Sequence, residues 1–417
     1  MPKPHILVVG GGAAGLLAAG TAAENGAAVT VVERNPRMAR KVMITGKGRC
    51  NLTNCCDTAT LIANIPRNPR FLYSAFNAFT PQDMMALIEA QGVPLKVERG
   101  NRVFPVSDKA VDVVDALVRF VRDKGVHFTH GRVQHLRLAD GVCTGVTLES
   151  GETLTADAVI LSTGGKSYPQ TGSEGDGYVL AHEAGHTVID PRPSLVPLES
   201  SDGYCSAMQG LAPKNCAVTV EDTVSGKIIY RDFGEMLFTH FGVSGPMVLS
   251  ASAHMRDMVP DRYVLYIDWK PALTPEQVDA RLCRELQENA NSDCGNMLRR
   301  LLPQSAIPVF AALAAVDTAA KCHAVTREQR HALGAVFKRF PVHISGTRPI
   351  AEAIVTRGGV CVKEVQAATM ASRLVRGLYF AGELLDVDAY TGGFNLQIAF
   401  STGAAAGRGA ATGGEHI

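Results

Sequence analysis

Gly10, Gly12, Gly15 and Glu33 are the residues whose types and spacing point most directly to chemistry. The glycines read G-x-G-x-x-G between an apolar run at residues 6–9 and an alanine-rich segment, and a second apolar run ends on Glu33. Strand, glycine turn, helix, strand and acid in that order make a dinucleotide-binding βαβ unit. Gly10 would make the tight turn, Gly12 would admit a diphosphate to the backbone N–H groups, and Gly15 would let the helix lie against the strand. The helix N-terminus, with its unpaired N–H groups and dipole, favours the anion, and Glu33 can accept a ribose hydroxyl.

Further ligand-competent residues lie downstream. Residues 34–54 form a basic, glycine-punctuated loop with Lys41, Lys47 and Arg49 beside Gly46 and Gly48, suited to close approach of a phosphate-bearing ligand. Residues 158–162 are a short apolar strand running into Thr163-Gly164-Gly165, a return to a parallel sheet at its ligand edge. Residues 377–383 repeat the pattern and end on Gly382-Glu383. Thr391-Gly392-Gly393 then precedes a helix.

Three strings suggest other chemistry. His182-Glu183-Ala184-Gly185-His186 fits a zinc-protease pattern, but Gly185 is a helix terminator and residues 186–189 read as the next strand, so the imidazoles would diverge and no metal site is expected. Cys50 and Cys55 have the C-x₄-C spacing of flavin disulfide reductases, whose thiolate chemistry is a real alternative. No second G-x-G-x-x-G follows for the dedicated nicotinamide domain such enzymes need. Gly164-Gly165-Lys166-Ser167 lacks the earlier glycine of a P-loop, because position 160 is Ile.

The elements that must position these residues are partly legible. Thr80, Pro81 and Asp83 predict a capped helix running to about Gln91. Ser107 predicts the start of another, with Val111, Val114, Leu117, Val118 and Val121 at helical spacing and Gly125 at its end. Runs at 126–129, 132–138, 142–149 and 152–155 alternate with period two and predict a four-stranded antiparallel meander. The proline-rich residues 191–197 read as an exit from the first domain; 216–232 and 262–269 read as strands, and Thr274 caps a helix over 275–289. From Arg348 onward strand, glycine and alanine texture returns, so the early and late parts should build one domain around an insert.

The chain has 417 residues, 46% hydrophobic and 19% charged, with Lys+Arg 41 against Asp+Glu 40, so no global field recruits nucleic acid or an anionic membrane. The uncharged run at 6–23 is broken by glycines and carries the βαβ pattern, which argues against a membrane span. Ten cysteines without a paired framework suggest reduced thiols and a cytoplasmic protein.

Beyond the first unit the chain contains TGKGRCNLTN (45–54), ERGNRVFP (98–105), STGGKSYPQTGSEGDGY (162–178), LFTHFGVSGP (237–246), TRGGV (356–360) and GLYFAGELLDVDAYTGGFNLQIAFSTG (377–403). Together these strings resemble the BaiN/RdsA-type, YhiN-like flavoprotein family, which includes aminoacetone oxidases. The resemblance implies FAD and an α/β fold: a glutathione-reductase-like Rossmann domain (1–190 plus 346–417) interrupted by a β-barrel insert (191–273 with about 336–345) and a small helical insert (274–335). It places Gly10, Gly12, Ala13, Ala14, Gly15 and Glu33 at the ADP half and counts Arg34 and Val133 among the cofactor-binding residues. Lys41, Thr45, Gly48, Arg49 and Asn51 match the family's basic loop, and Thr163 and Gly164 its strand-end site. Gly382, Glu383 and Asp386 fall at the ribityl chain, with Glu383 and Asp386 as joint candidates for its acid. Gly393, Asn395, Leu396 and Gln397 fall at the flavin ring, where a helix N-terminus would stabilise negative charge near N1 and C2=O of reduced flavin.

The function this implies is FAD-dependent hydride transfer between flavin N5 and a small organic substrate. It would run either as amine oxidation or as NAD(P)H-driven reduction of an unsaturated ketone, NAD(P)H then being a transient donor. No nucleophile–base triad or paired-carboxylate set stands out, and Tyr168, His240 and Tyr390, in punctuated motif loops, are the candidates for the substrate side. An RNA-acting flavoprotein is the reading from another class. The near-zero charge and 6% aromatic content argue against a nucleic-acid partner, and nothing in the sequence specifies an oligomeric state.

Overall fold

A computed structural model describes residues 3–255 and 257–413. The chain divides into two compact units: one takes residues up to Ser194 and again from Ile350, the other spans Leu195–Pro349.

The first unit is built on β1 (His5–Val9), α1 (Ala13–Glu24), β2 (Ala28–Glu33), α2 (Ala110–Asp123), β3 (His127–His130), β4 (Ala158–Leu161), β5 (Leu378–Phe380) and α3 (Phe394–Ala411). The five strands form one parallel sheet in the order β5-β4-β1-β2-β3. β4 and β5 are buried at every position, as strands covered on both faces must be. The order reverses direction beside β1, and ligands of such sheets bind at the carboxyl edge there.

α1 and α3 pack side by side through their backbones. A Cβ on Gly403 would lie 2.3 Å from Ala14 O, and one on Gly407 would lie 2.2 Å from Ala18 O, so only glycine fits at either place. The matching pairs ascend together, so the helices are parallel. At 1.5 Å per residue, α3 begins about 12 Å before α1 does, measured back along the shared direction.

Sequence expectations and structure differ at four places. Residues 127–130 do not join the antiparallel meander: they pair in parallel with β2, Thr30 opposite His127 and Glu33 opposite His130. They follow α2, the crossover helix from β2, and such a crossover returns the chain to the parallel sheet. Only 133–139, 142–148 and 153–155 make the antiparallel sheet. The helix expected from Ser107 begins at Ala110, with Ser107 Oγ donating to Asp112 at 2.5 Å. The exit falls after Ser194 because Val188–Ser194 pairs antiparallel with Val355–Val360, and this ribbon tolerates Pro191 and Pro193.

The fourth difference is the insert. Its seven antiparallel strands run in the order 227–234, 216–222, 263–268, 340–347, 198–200, 242–244 and 237–239, and among the described residues the ladder stays open at its two edge strands. Sheet and helices share one core, in which Phe310 lies 5.3 Å from Phe340 and 5.0 Å from Phe337, ring centre to ring centre. The β and helical parts are therefore one body. Among the described residues no helix is long and apolar enough to cross a membrane.

Gly407→Val should lower stability by about 3 kcal/mol, the upper end of what overpacking a tight contact costs. Thermal unfolding of the first unit checks this; an unchanged melting temperature would contradict the α1–α3 contact.

Candidate functional site at the sheet edge

β1 delivers the chain to a turn whose glycines have distinct surroundings. At Gly10 φ is +103°, and a Cβ would sit 2.7 Å from Ser162 O; at Gly15 it would sit 1.9 Å from Gly10 O. At Gly12 nothing lies within 4 Å, so the turn opens outward there. Ser162 Oγ lies 3.0 Å from both Val9 O and Gly10 O, fixing the turn to β4. Gly12 is the N-cap of α1 and supplies no side-chain acceptor, so the first N–H groups of the helix, beginning at Ala13, Ala14 and Gly15, are available to an anion.

Glu33 is buried and held by three donors: Gly11 N to Oε2 at 2.7 Å, and Asn35 N and Nδ2 to Oε1 at 2.7 Å each. Oε2 keeps room for one more donor, such as a ribose hydroxyl. Glu33, Asn35, Met38, Val118, Phe128 and His130 line a cleft of about 560 Å³. Val133 is buried and pairs with Leu148, while Gly131 N donates to Glu33 O at 3.0 Å, which brings this segment to the same edge. Arg34 is committed to Glu174 and Asp176, each at 2.9 Å.

The far end of the site starts at β5. Gly382 N donates to Thr402 Oγ1 of α3 at 2.9 Å, tying this turn to the helix. Both candidate ribityl acids are engaged by the protein itself. Glu383 accepts from Lys41 Nζ (2.6 Å), Ser167 Oγ (2.9 Å) and Thr356 N (2.7 Å). Asp386 is buried in an ion pair with Arg67 at 2.6 Å and lies 3.1 Å from Asn68 Nδ2.

α3 begins at Gly393, again with no side-chain cap. The loop at 51–54 clamps this start. A Cβ on Gly393 would meet Thr53 O at 2.4 Å, Asn54 Nδ2 donates to Gly392 O at 3.0 Å, and the Asn51 amide, turned so that its oxygen faces Gly393 N, accepts at 3.0 Å. Thr53 Oγ1 donates to Gln397 Oε1 at 2.6 Å, and Gln397 Nε2 donates to Phe79 O at 3.2 Å. Asn395 holds the preceding turn, accepting from Ala389 N at 2.9 Å and donating to Ala389 O at 2.8 Å. Gln397 and Asn395 are thus internal braces, and Leu396 packs against the core.

Thr163 Oγ1 is buried without a hydrogen-bond partner beside Gly177, and Gly164 adopts φ +76°. Thr45 caps its own turn through Val42 O at 2.7 Å, and Gly48 faces open space. Arg49 is spent elsewhere: it pairs with Glu98 and Asp108 and lies 4.2 Å over the Phe104 ring. Its role here is to anchor the basic loop. Tyr168 sits at φ +50°, and its carbonyl accepts from Thr171 N at 2.9 Å. Tyr390 N donates to Asn64 O at 3.1 Å. His240 belongs to the second unit, its ring 5.0 Å from Phe241.

Thr53, Thr356 and Arg67 are structural partners that residue type and spacing do not mark, and Ser167, from the incomplete P-loop string, is another. Thr53, Ser167 and Thr356 lie inside motif strings, which was the available signal. The zinc-protease string also resolves: its helix ends at Glu183, Gly185 adopts φ +81°, and His186 Nε2 lies 2.7 Å from Ser372 Oγ.

A parallel sheet whose carboxyl edge presents two open helix starts, an acid at the end of β2 and an orphaned buried hydroxyl fits a nucleotide at one end and a flavin at the other. This is the arrangement of an FAD-dependent oxidoreductase with a Rossmann domain. The chain belongs to the HI0933-like protein Rossmann domain family, whose model matches residues 4–409, in agreement with the BaiN/RdsA-type resemblance. It is 32% identical to a 3-dehydro-bile acid delta(4,6)-reductase of Clostridium scindens over 413 residues, 98% of this chain and 99% of that protein. It is 31% identical over 405 residues to a ribosomal RNA dihydrouridine synthase of Escherichia coli, 96% of each chain. Among solved structures it is similar in fold to a 3-ketosteroid delta1-dehydrogenase from Sterolibacterium denitrificans, with a TM-score of 0.53 and 14% identity over 99% of this chain and 100% of that one.

The disulfide-reductase alternative meets a physical objection. Cys50 is wholly buried and burial pushes its thiol up to about 12, so it is not a thiolate at neutral pH. All ten cysteines are free. Native alkylation at neutral pH should label the partly exposed Cys55, Cys283 and Cys361 well before Cys50, and Cys50→Ser should change the rate of flavin reduction less than about twofold, since no thiolate step is involved. Peptide mapping by mass spectrometry checks the first outcome and stopped-flow absorbance the second; a Cys50–Cys55 bridge opening on flavin reduction would restore the alternative.

Proposed function

We propose that this protein is an FAD-dependent reductase of carbon–carbon double bonds conjugated to a carbonyl. The observation that carries the flavin part is the pair of uncapped helix starts at Gly12 and Gly393, offset along parallel α1 and α3. One suits a diphosphate, and the other suits the negative charge that gathers on a reduced flavin. The substrate class is supported by the two full-length relatives. A bile-acid dienone and the uracil ring of uridine share an electron-poor C=C next to a carbonyl. That common chemistry is a better guide than either substrate alone.

FAD, when bound, would supply hydride from N5 to the carbon β to the carbonyl, and a proton from solvent would complete the reduction at the α carbon. The protein's part is to bind and orient. Glu33 would hold the adenosine ribose, the turn from Gly10 to Gly15 the diphosphate, and Thr163 and the Gly382 turn the middle of the cofactor. The clamp formed by Asn51, Thr53 and Asn54 keeps the α3 start where charge develops, and preorganised dipoles of this kind stabilise such charge without reorganising. NAD(P)H would act as a transient donor. The second unit, which carries His240, would correspond to the insert of the family.

RNA remains a second reading on one observation, the Escherichia coli relative that matches along its whole length. The experiment is anaerobic: purified protein is reduced by NADH or NADPH, then mixed with a steroid dienone, a uridine-containing RNA or a small amine. Bound flavin should be reduced by a nicotinamide and reoxidised by a conjugated carbonyl at least tenfold faster than by buffer alone. Reoxidation by RNA only would select the RNA reading. Reduction of the oxidised flavin by an amine, with none by nicotinamide, would select amine oxidation and sink the proposal.

A further inference from the structure

The family resemblance offers Glu383, with Asp386, as the acid that would meet the ribityl chain, yet the protein surrounds Glu383 with its own donors. Oε1 accepts from Ser167 Oγ and from Thr356 N, which fills an oxygen that takes two donors. Oε2 takes Lys41 Nζ at 2.6 Å, and the same ammonium donates to Ser167 Oγ at 2.7 Å. Ser167 and Thr356 are fully buried, and Thr356 Oγ1 accepts from the backbone N–H groups of Lys166 (2.8 Å) and Ser167 (3.1 Å). Gly165 keeps the network open: a Cβ there would lie 2.3 Å from Thr356 Oγ1 and 3.0 Å from Glu383 Oε1. Four separate chain segments, at 41, 165–167, 356 and 383, thus converge on one carboxylate.

A socket of this kind positions a cation. Lys41 has three N–H donors, and the described contacts use two of them. We propose that Glu383 is a positioning residue that acts through Lys41, holding the ammonium so that its third N–H meets an oxygen of the cofactor's diphosphate. This rests on the FAD reading above. A bare Glu383 facing a diphosphate would oppose two anions, whereas the ion pair removes that repulsion and leaves a directed donor.

The test is a double-mutant cycle on FAD affinity, measured by titrating apo-protein with FAD and following flavin fluorescence, with Lys41→Met, Glu383→Gln and the pair. Each single change should weaken FAD at least tenfold. In the Lys41→Met background, Glu383→Gln should cost less than it does alone or should improve affinity, because the acid then has no cation to hold. An equal or larger cost in that background would mean that Glu383 contacts the cofactor itself, and would overturn the proposal. If the pair does not fold, Ser167→Ala in place of Glu383→Gln gives the same cycle. Wild-type protein that binds no FAD would instead defeat the flavin reading, so the two failures are distinct.

Discussion

The backbone contact between α1 and α3 is the constraint on which the rest of the site depends. Ala14 O and Ala18 O sit where side chains of Gly403 and Gly407 would otherwise be, so neither helix can slide along the other without a clash. Each helix starts at a glycine with no side-chain cap. Fixing their mutual register therefore fixes the vector between two electropositive ends, one at the turn after β1 and one at Gly393. A flexible cofactor that bridges these ends would be extended by the protein rather than left to fold on itself. The ordering is then done by the scaffold before the ligand arrives, which lowers its entropic cost on binding.

The second requirement is that the α3 start stay put, because it lies beyond the parallel sheet and rests only on the short strand Thr53–Asn54, which pairs with Arg102 and Val103. The loop at 51–54 meets this need with backbone contact at Gly393, side-chain bonds to Gly392 and Gln397, and anchoring of its own base through Arg49. This explains why a strongly basic loop contributes so few free cations. Arg49 rests on Phe104 between Glu98 and Asp108, and Lys41 is shared by Ser167 and Glu383.

Local features were readable in the sequence, and long-range partners were not. The first βαβ unit, the capping boxes at Thr80 and Thr274, and the glycine at each crowded turn follow from spacing and residue type. The parallel edge strand at 127–130 was missed because a short alternating run has the same pattern in either sheet, and only its position after α2 decides. The open seven-stranded sheet and helices of the second unit share one core, which no local pattern announces. The partners of Glu383 and Asp386 were invisible for a related reason. A carboxylate at a turn can face solvent, ligand or protein, and Ser167, Thr356, Arg67 and Asn68 reach these two from distant parts of the chain.

The acids at this edge follow one electrostatic rule. Glu33 ends β2 and Glu383, Asp386 and Asp388 follow β5, and uncompensated carboxylates there would repel the diphosphate of the proposed cofactor. Each is compensated in a different way. Glu33 is satisfied by two backbone N–H groups and an amide, Glu383 by an ammonium, and Asp386 by a guanidinium. Asp388 is wholly buried with one oxygen 2.7 Å from Ser194 Oγ, and burial raises its pKa, which favours the neutral acid. The near-zero net charge of the chain therefore does not describe the edge itself. There the cations are largely committed to acids, and attraction for an anion rests on helix dipoles, open N–H groups and the few donors that the ion pairs leave directed outward.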